Sequence, residues 1–149
     1  MSGPVFVLSG RVSPGKRLGQ RLGFPTANIA YVRDGRAWPP DGVYIGTAEV
    51  AGDPGRYLAI LNQGRHPTAP EGGPTVEAHL IGYPGHDLYG RRLTLCYRQF
   101  LRPEKKFEAL HELAAQLEQD RRSAESWARS REPGLAGETR GASPAQQQP

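Results

Sequence analysis

Only one cysteine, Cys96, stands in the 149-residue chain, which excludes an internal disulfide and gives no sign of an oxidising compartment. Long apolar runs are missing as well. The early run Val5 to Leu8 is too short for the apolar stretch of a secretory signal, no basic residue precedes it, and nothing reaches the length of a membrane span. A cytoplasmic location without a membrane partner is expected. Apolar residues make up only 37% and mean hydropathy is −0.59, so the core must be confined to part of the chain. Metal-ligand spacing is also lacking. His66, His79, His86 and His111 stand at no ligating interval from Cys, Asp or Glu, and all four read as ordinary. Cys96, in mid-strand, reads as a packed thiol.

What the chain has in quantity is glycine (19) and proline (14), a demand for turns that suits a small all-β domain better than a helical bundle. Basic residues exceed acidic ones by 19 to 15, and the net charge of +4 suits an anionic ligand such as a nucleotide. Strands are expected at 5–8, 42–50, 57–61, 75–80 and 93–100. In the fourth, Val76, Ala78 and Leu80 share one face and Thr75, Glu77 and His79 the other; in the last, Leu93, Leu95 and Tyr97 share a face. Asp87-Leu88-Tyr89-Gly90 reads as a type I turn. The period then becomes helical, with Phe107, Leu110, Ala114, Leu117 and Arg121 on one stripe, Pro103 at the start and Pro133 as the stop. One domain over 1–132 and a disordered tail over 133–149 follow, the tail ending in Gln-Gln-Gln-Pro. The expected fold class is all-β: an antiparallel barrel of five or six strands with one C-terminal α-helix packed outside.

The chemistry concentrates in residues 10–28. Glycines there permit close backbone approach to phosphate, and Arg11, Lys16, Arg17 and Arg21 supply a positive field. Thr26 and Asn28, two apart on an extended segment, face the same way, and their oxygens form a minimal grip for a hard cation. No Gly-Lys-Ser/Thr follows at P-loop spacing.

Gly23-Phe24-Pro25-Thr26-Ala27-Asn28 resembles the signature of riboflavin kinases. Later blocks follow in that family's order: Gly42-Val43-Tyr44, Asn62-Gln63-Gly64 with Pro67-Thr68, Val76 to Leu80, Asp87 to Gly90 and Leu101 to Phe107. The resemblance covers roughly residues 8–122. It implies a six-stranded antiparallel Greek-key barrel and transfer of the ATP γ-phosphoryl group to the 5′-hydroxyl of riboflavin, giving FMN and ADP. It further implies Glu77 as the base and Mg²⁺ held by Thr26 and Asn28. Gly15, Gln20, Thr26, Leu80 and Tyr89 would meet the nucleotide, and Arg102, Lys105 and Phe107 the flavin. ATP and riboflavin are the expected partners, nucleic acid is not, and a monomer is expected.

Two positions depart from the family pattern. Gln20 stands where a basic residue is usual; unless Arg21, Arg17 or Lys16 compensates, a Gln20→Arg variant is expected to lower the Michaelis constant for ATP. Gln63 stands where an apolar residue is commoner, read here as a loop position. In many bacteria such a module resembles the second half of a bifunctional FAD synthetase. The adenylyltransferase half, with its His-x-Gly-His loop, is absent from this sequence, so FMN without FAD is the expected product. A catalytically impaired flavin- or nucleotide-binding module is the alternative, favoured by Gln20. A small basic nucleic-acid-binding barrel ranks last, because the basic residues cluster in a glycine loop instead of among exposed aromatics.

Overall fold

The computed structural model describes residues 6–13, 26–65, 73–84 and 87–135. Six strands form one antiparallel sheet: β1 (Phe6–Arg11), β2 (Thr26–Ala30), β3 (Gly42–Val50), β4 (Arg56–Arg65), β5 (Pro74–Leu80) and β6 (Arg92–Arg102). Their spatial order is β1-β6-β3-β4-β5-β2. Strands β3, β4 and β5 are successive neighbours and β6 returns beside β3, which is the Greek-key order. The sheet curls into a barrel that is only half closed. Its edge strands meet at an isolated bridge, where Ser13 N–H donates to the Asn28 carbonyl at 2.7 Å.

Alternation along the strands builds the interior. Phe6, Leu8, Ala27, Ile29, Tyr44, Leu61, Val76, Ala78, Leu80, Leu93, Leu95 and Tyr97 point inward and are buried. Strand β3 is buried on both faces because helix α1 (Leu110–Arg131) covers the outside. Val43, Ile45, Leu58, Ile60 and Ile81 pack there against Ala124 and Ala128. Only glycine fits at position 46, where an added Cβ would collide with the Cys96 carbonyl on the neighbouring strand.

Several expected boundaries move. Strand β1 runs to Arg11, so that residue belongs to a strand and not to a loop. Strand β4 runs four residues beyond the expected end at Leu61, to Arg65, which puts Gln63 inside a strand. Gln63 has no exposed surface; its amide donates to the Pro39 carbonyl (2.9 Å) and to Asp41 Oδ1 (3.1 Å), and its oxygen accepts from Tyr97 (2.8 Å). The tight turn before β6 joins Arg91 N–H to the Leu88 carbonyl at 3.0 Å, with Gly90 third at φ +83°. The turn is therefore Leu88–Arg91, one residue on from the expected Asp87–Gly90, and its third position takes the left-handed value that favours glycine.

The helix begins at Leu110, well after Pro103, which instead follows the end of β6. Its buried positions are Leu117, Asp120, Ala124 and Ala128, whereas Leu110 is 46% exposed. Small alanines let the helix approach the sheet closely, and a stripe chosen by large apolar side chains misses them. Glu132 closes the helix ahead of Pro133. The described part continues past the expected boundary at 132: Leu135 is buried against the outer-face cluster. The rest of the expected tail, 136–149, lies outside the described residues.

Candidate functional site

The candidate residues gather on the outer face of β2 and β5. Ala27 and Ile29 fill the interior, so Thr26 and Asn28 point outward; Val76, Ala78 and Leu80 do the same for β5, turning out Thr75, Glu77 and His79. Asn28 is the direct register partner of Glu77, and Thr26 of His79. The row continues across the sheet from Glu77 to Asn62, Val43 and Arg102. Five strands thus contribute one line of positions running from Asn28 to Arg102.

Thr26 and Asn28 are both buried. The Thr26 hydroxyl lies 3.1 Å from His79 Nδ1, and burial pushes the His79 imidazole below its usual 6.5. Ser13 N–H and Oγ–H both donate to the Asn28 carbonyl (2.7 and 3.2 Å), which fixes the backbone of β2 at that point. Among the described residues no group of three or more His, Cys, Asp or Glu could hold a metal. Thr26 and Asn28 nevertheless fit a hard divalent cation, because a hydroxyl and an amide oxygen face the same way two residues apart. Such neutral donors leave most of the shell to water and phosphate.

Arg102 anchors the far end. Its Nε and Nη2 donate to the two oxygens of Asp120 (3.0 and 2.8 Å), and its Nη1 donates to the Pro103 carbonyl (3.0 Å). Each of the three guanidinium nitrogens thus makes one hydrogen bond, which holds the group in place and lets its flat face meet a planar ligand. Gln116 donates to Asp120 Oδ1 (2.9 Å) and accepts from Lys105 Nζ (3.4 Å), whose ammonium sits 5.8 Å from the Phe107 ring centroid. Arg102, Lys105 and Phe107 are thus brought together beside the first half of α1.

Tyr89 stands apart, 55% exposed on the turn before β6, where Gly90 N–H donates to the Val12 carbonyl (3.0 Å). That contact sets the turn next to Ser13 and hence close to the backbone of Asn28. Leu80 faces the other way, into the barrel interior, and is not part of the outer row. Gly15 and Gln20 lie outside the described residues. Sequence reasoning passed over Asn62, whose alternation with the buried Leu61 and Gln63 marks it as outward, and Asp120, hidden as a charge on an apolar stripe. It also read His79 as ordinary, although its alternation with Glu77 was visible.

The family model described as riboflavin kinase (flavokinase) matches residues 2–128. A bifunctional riboflavin kinase/FMN adenylyltransferase of Pseudomonas fluorescens is 38% identical over 119 residues, covering 79% of this chain and 37% of that protein. The protein of the same description from Escherichia coli K12 is 38% identical over 123 residues, with 82% and 38% covered. The chain therefore spans less than two-fifths of the length of these relatives. The crystal structure of riboflavin kinase from Trypanosoma brucei shares the fold, with a TM-score of 0.58, 24% identity, and 96% of this chain and 92% of that one covered. A Streptococcus pneumoniae structure described as a macrolide-efflux protein gives a TM-score of 0.68 at 26% identity, with 83% and 39% covered.

Proposed function

Because the chain belongs to the riboflavin kinase family, we propose that it moves the γ-phosphoryl group of ATP onto the riboflavin 5′-hydroxyl at the outer row of β2 and β5. The products are FMN and ADP. The observation that carries this reading is the register pair Asn28 and Glu77, which sets a carboxylate beside a hydroxyl and amide pair on adjacent strands.

Glu77 is the catalytic residue. It accepts the proton of the 5′-hydroxyl as the oxygen bonds to the γ-phosphorus and the bond from that phosphorus to the β,γ-bridging oxygen breaks. The proton then passes to solvent and the bridging electrons leave with ADP. Little else needs a proton acceptor, because phosphoryl transfer runs through a loose transition state in which positioning and charge neutralisation dominate. Thr26 and Asn28 hold a divalent cation, assigned as Mg²⁺, which when bound neutralises phosphate charge. The face of Arg102 and the ring of Phe107 receive the flavin, with Lys105 beside them. Gly15, Gln20 and Tyr89 contact the nucleotide, and Leu80 supports that site from the interior.

The test is direct. Protein incubated with riboflavin, ATP and Mg²⁺ should form FMN, and Glu77→Gln should lower turnover by about 10²–10⁴-fold while flavin binding persists. Flavin binding without FMN formation in the parent protein would favour a binding module that has lost catalysis.

A further inference from the structure

We infer that His79 is a positioning residue of this site: its Nδ1 accepts the Thr26 hydroxyl proton and so turns that oxygen's lone pairs toward the bound cation. The inference rests on the reading of Thr26 given above. Thr26 and His79 are register partners on adjacent strands, their polar atoms are 3.1 Å apart, and both side chains are buried.

A threonine hydroxyl carries one proton and two lone pairs, and left alone it rotates. A cation ligand needs the lone pairs; a proton aimed at the metal would oppose binding. The buried imidazole supplies an acceptor 3.1 Å from the hydroxyl, which gives its proton a place to go other than toward the cation. A neutral imidazole accepts at one nitrogen and donates at the other. With Nδ1 accepting, the proton of the ring sits on Nε2. Loss of a supporting group that orients a metal ligand in this way typically costs about 10–100-fold in metal affinity. Unlike Glu77, His79 need touch neither substrate nor phosphate.

Steady-state kinetics with riboflavin, ATP and Mg²⁺ test the assignment. His79→Phe keeps a ring of similar size and removes the acceptor. It should raise the Mg²⁺ concentration for half-maximal activity by about 10-fold or more, with the riboflavin Michaelis constant changed by less than about two-fold. His79→Asn, whose amide oxygen can stand near the place of Nδ1, should recover most of the loss. An unaltered Mg²⁺ dependence in His79→Phe overturns the inference, and so does an equal change in the constants of both substrates.

Should His79→Phe fail to fold, nitrogen NMR of the parent protein decides the matter. An unprotonated Nδ1 with a proton on Nε2 supports the assignment, and a proton on Nδ1 at neutral pH overturns it. Thr26→Val and Glu77→Gln separate the two layers. If both retain parental turnover, the functional reading fails and this inference with it. If both lose turnover while His79→Phe keeps the parental cation dependence, only the inference fails.

Discussion

Tyr97 donates its hydroxyl proton to Gln63 Oε1 across 2.8 Å of the barrel interior, and neither side chain has exposed surface. Burial drives the Tyr97 phenol well above its usual pKa, so the group remains a donor at every working pH. An amide in an apolar interior is tolerated because its oxygen and nitrogen both find partners, Pro39 and Asp41 completing the set. Gln63→Leu should therefore destabilise the fold by about 1–3 kcal/mol, since Tyr97 and the Pro39 carbonyl lose a partner. Adding Tyr97→Phe should cost less than the sum of the single changes, with a coupling of about 0.5 kcal/mol or more. Urea denaturation of the four proteins measures it.

The Arg102 and Asp120 pair sets the second expectation. Asp120 is 2% exposed and accepts from both Nε and Nη2 of Arg102. Asp120→Ala would strand a largely buried guanidinium, so the loss should approach about 3 kcal/mol. A double change to Asp120→Leu and Arg102→Met should be milder, as an apolar pair leaves no unpaired charge. Both are read from denaturation midpoints.

Asn28→Ala tests the proposed cation grip. It removes one oxygen donor from a pair and leaves the strand hydrogen bonds in place. The Mg²⁺ requirement should rise by about 10-fold or more, and the riboflavin Michaelis constant should hold. A parallel rise in both constants would show damage to the strand instead.

Acid should weaken the fold through Glu132. Hydrogen bonds from Arg98 and then Arg56 hold its carboxyl below the usual 4.5. The unfolded chain therefore binds the proton first. The stability this carboxylate contributes is present above about pH 4.5 and is lost as pH falls through the lower folded value. Thermal melts from pH 7 to pH 3 should show that loss, and Glu132→Gln should flatten the curve in that acid range.

Much of this was legible in the residues. Alternation set the faces of β5 and β6 correctly because each side chain in a strand reports its side independently. Thr26 and Asn28 could be assigned to one face by the same rule. The helix stripe was not readable in the same way. Ala124 and Ala128 make the close contact and Asp120 shares their face, so burial there follows small size and a charge partner and not hydrophobicity. Gln63 was hidden for a related reason: its burial depends on acceptors and donors from residues 22 or more positions away in sequence. The pairing of His79 with Thr26 needed strand register, which a single sequence does not supply.

Among the described residues strand β2 has one full strand neighbour, β5, which also carries Glu77. The proposed proton acceptor and the proposed cation donors therefore share a single ladder of backbone hydrogen bonds. A slip of one residue along that ladder would turn Thr26 and Asn28 into the core together. Loss of the site through this edge should thus be all at once, without a stage that keeps a correctly placed cation and merely misplaces the base.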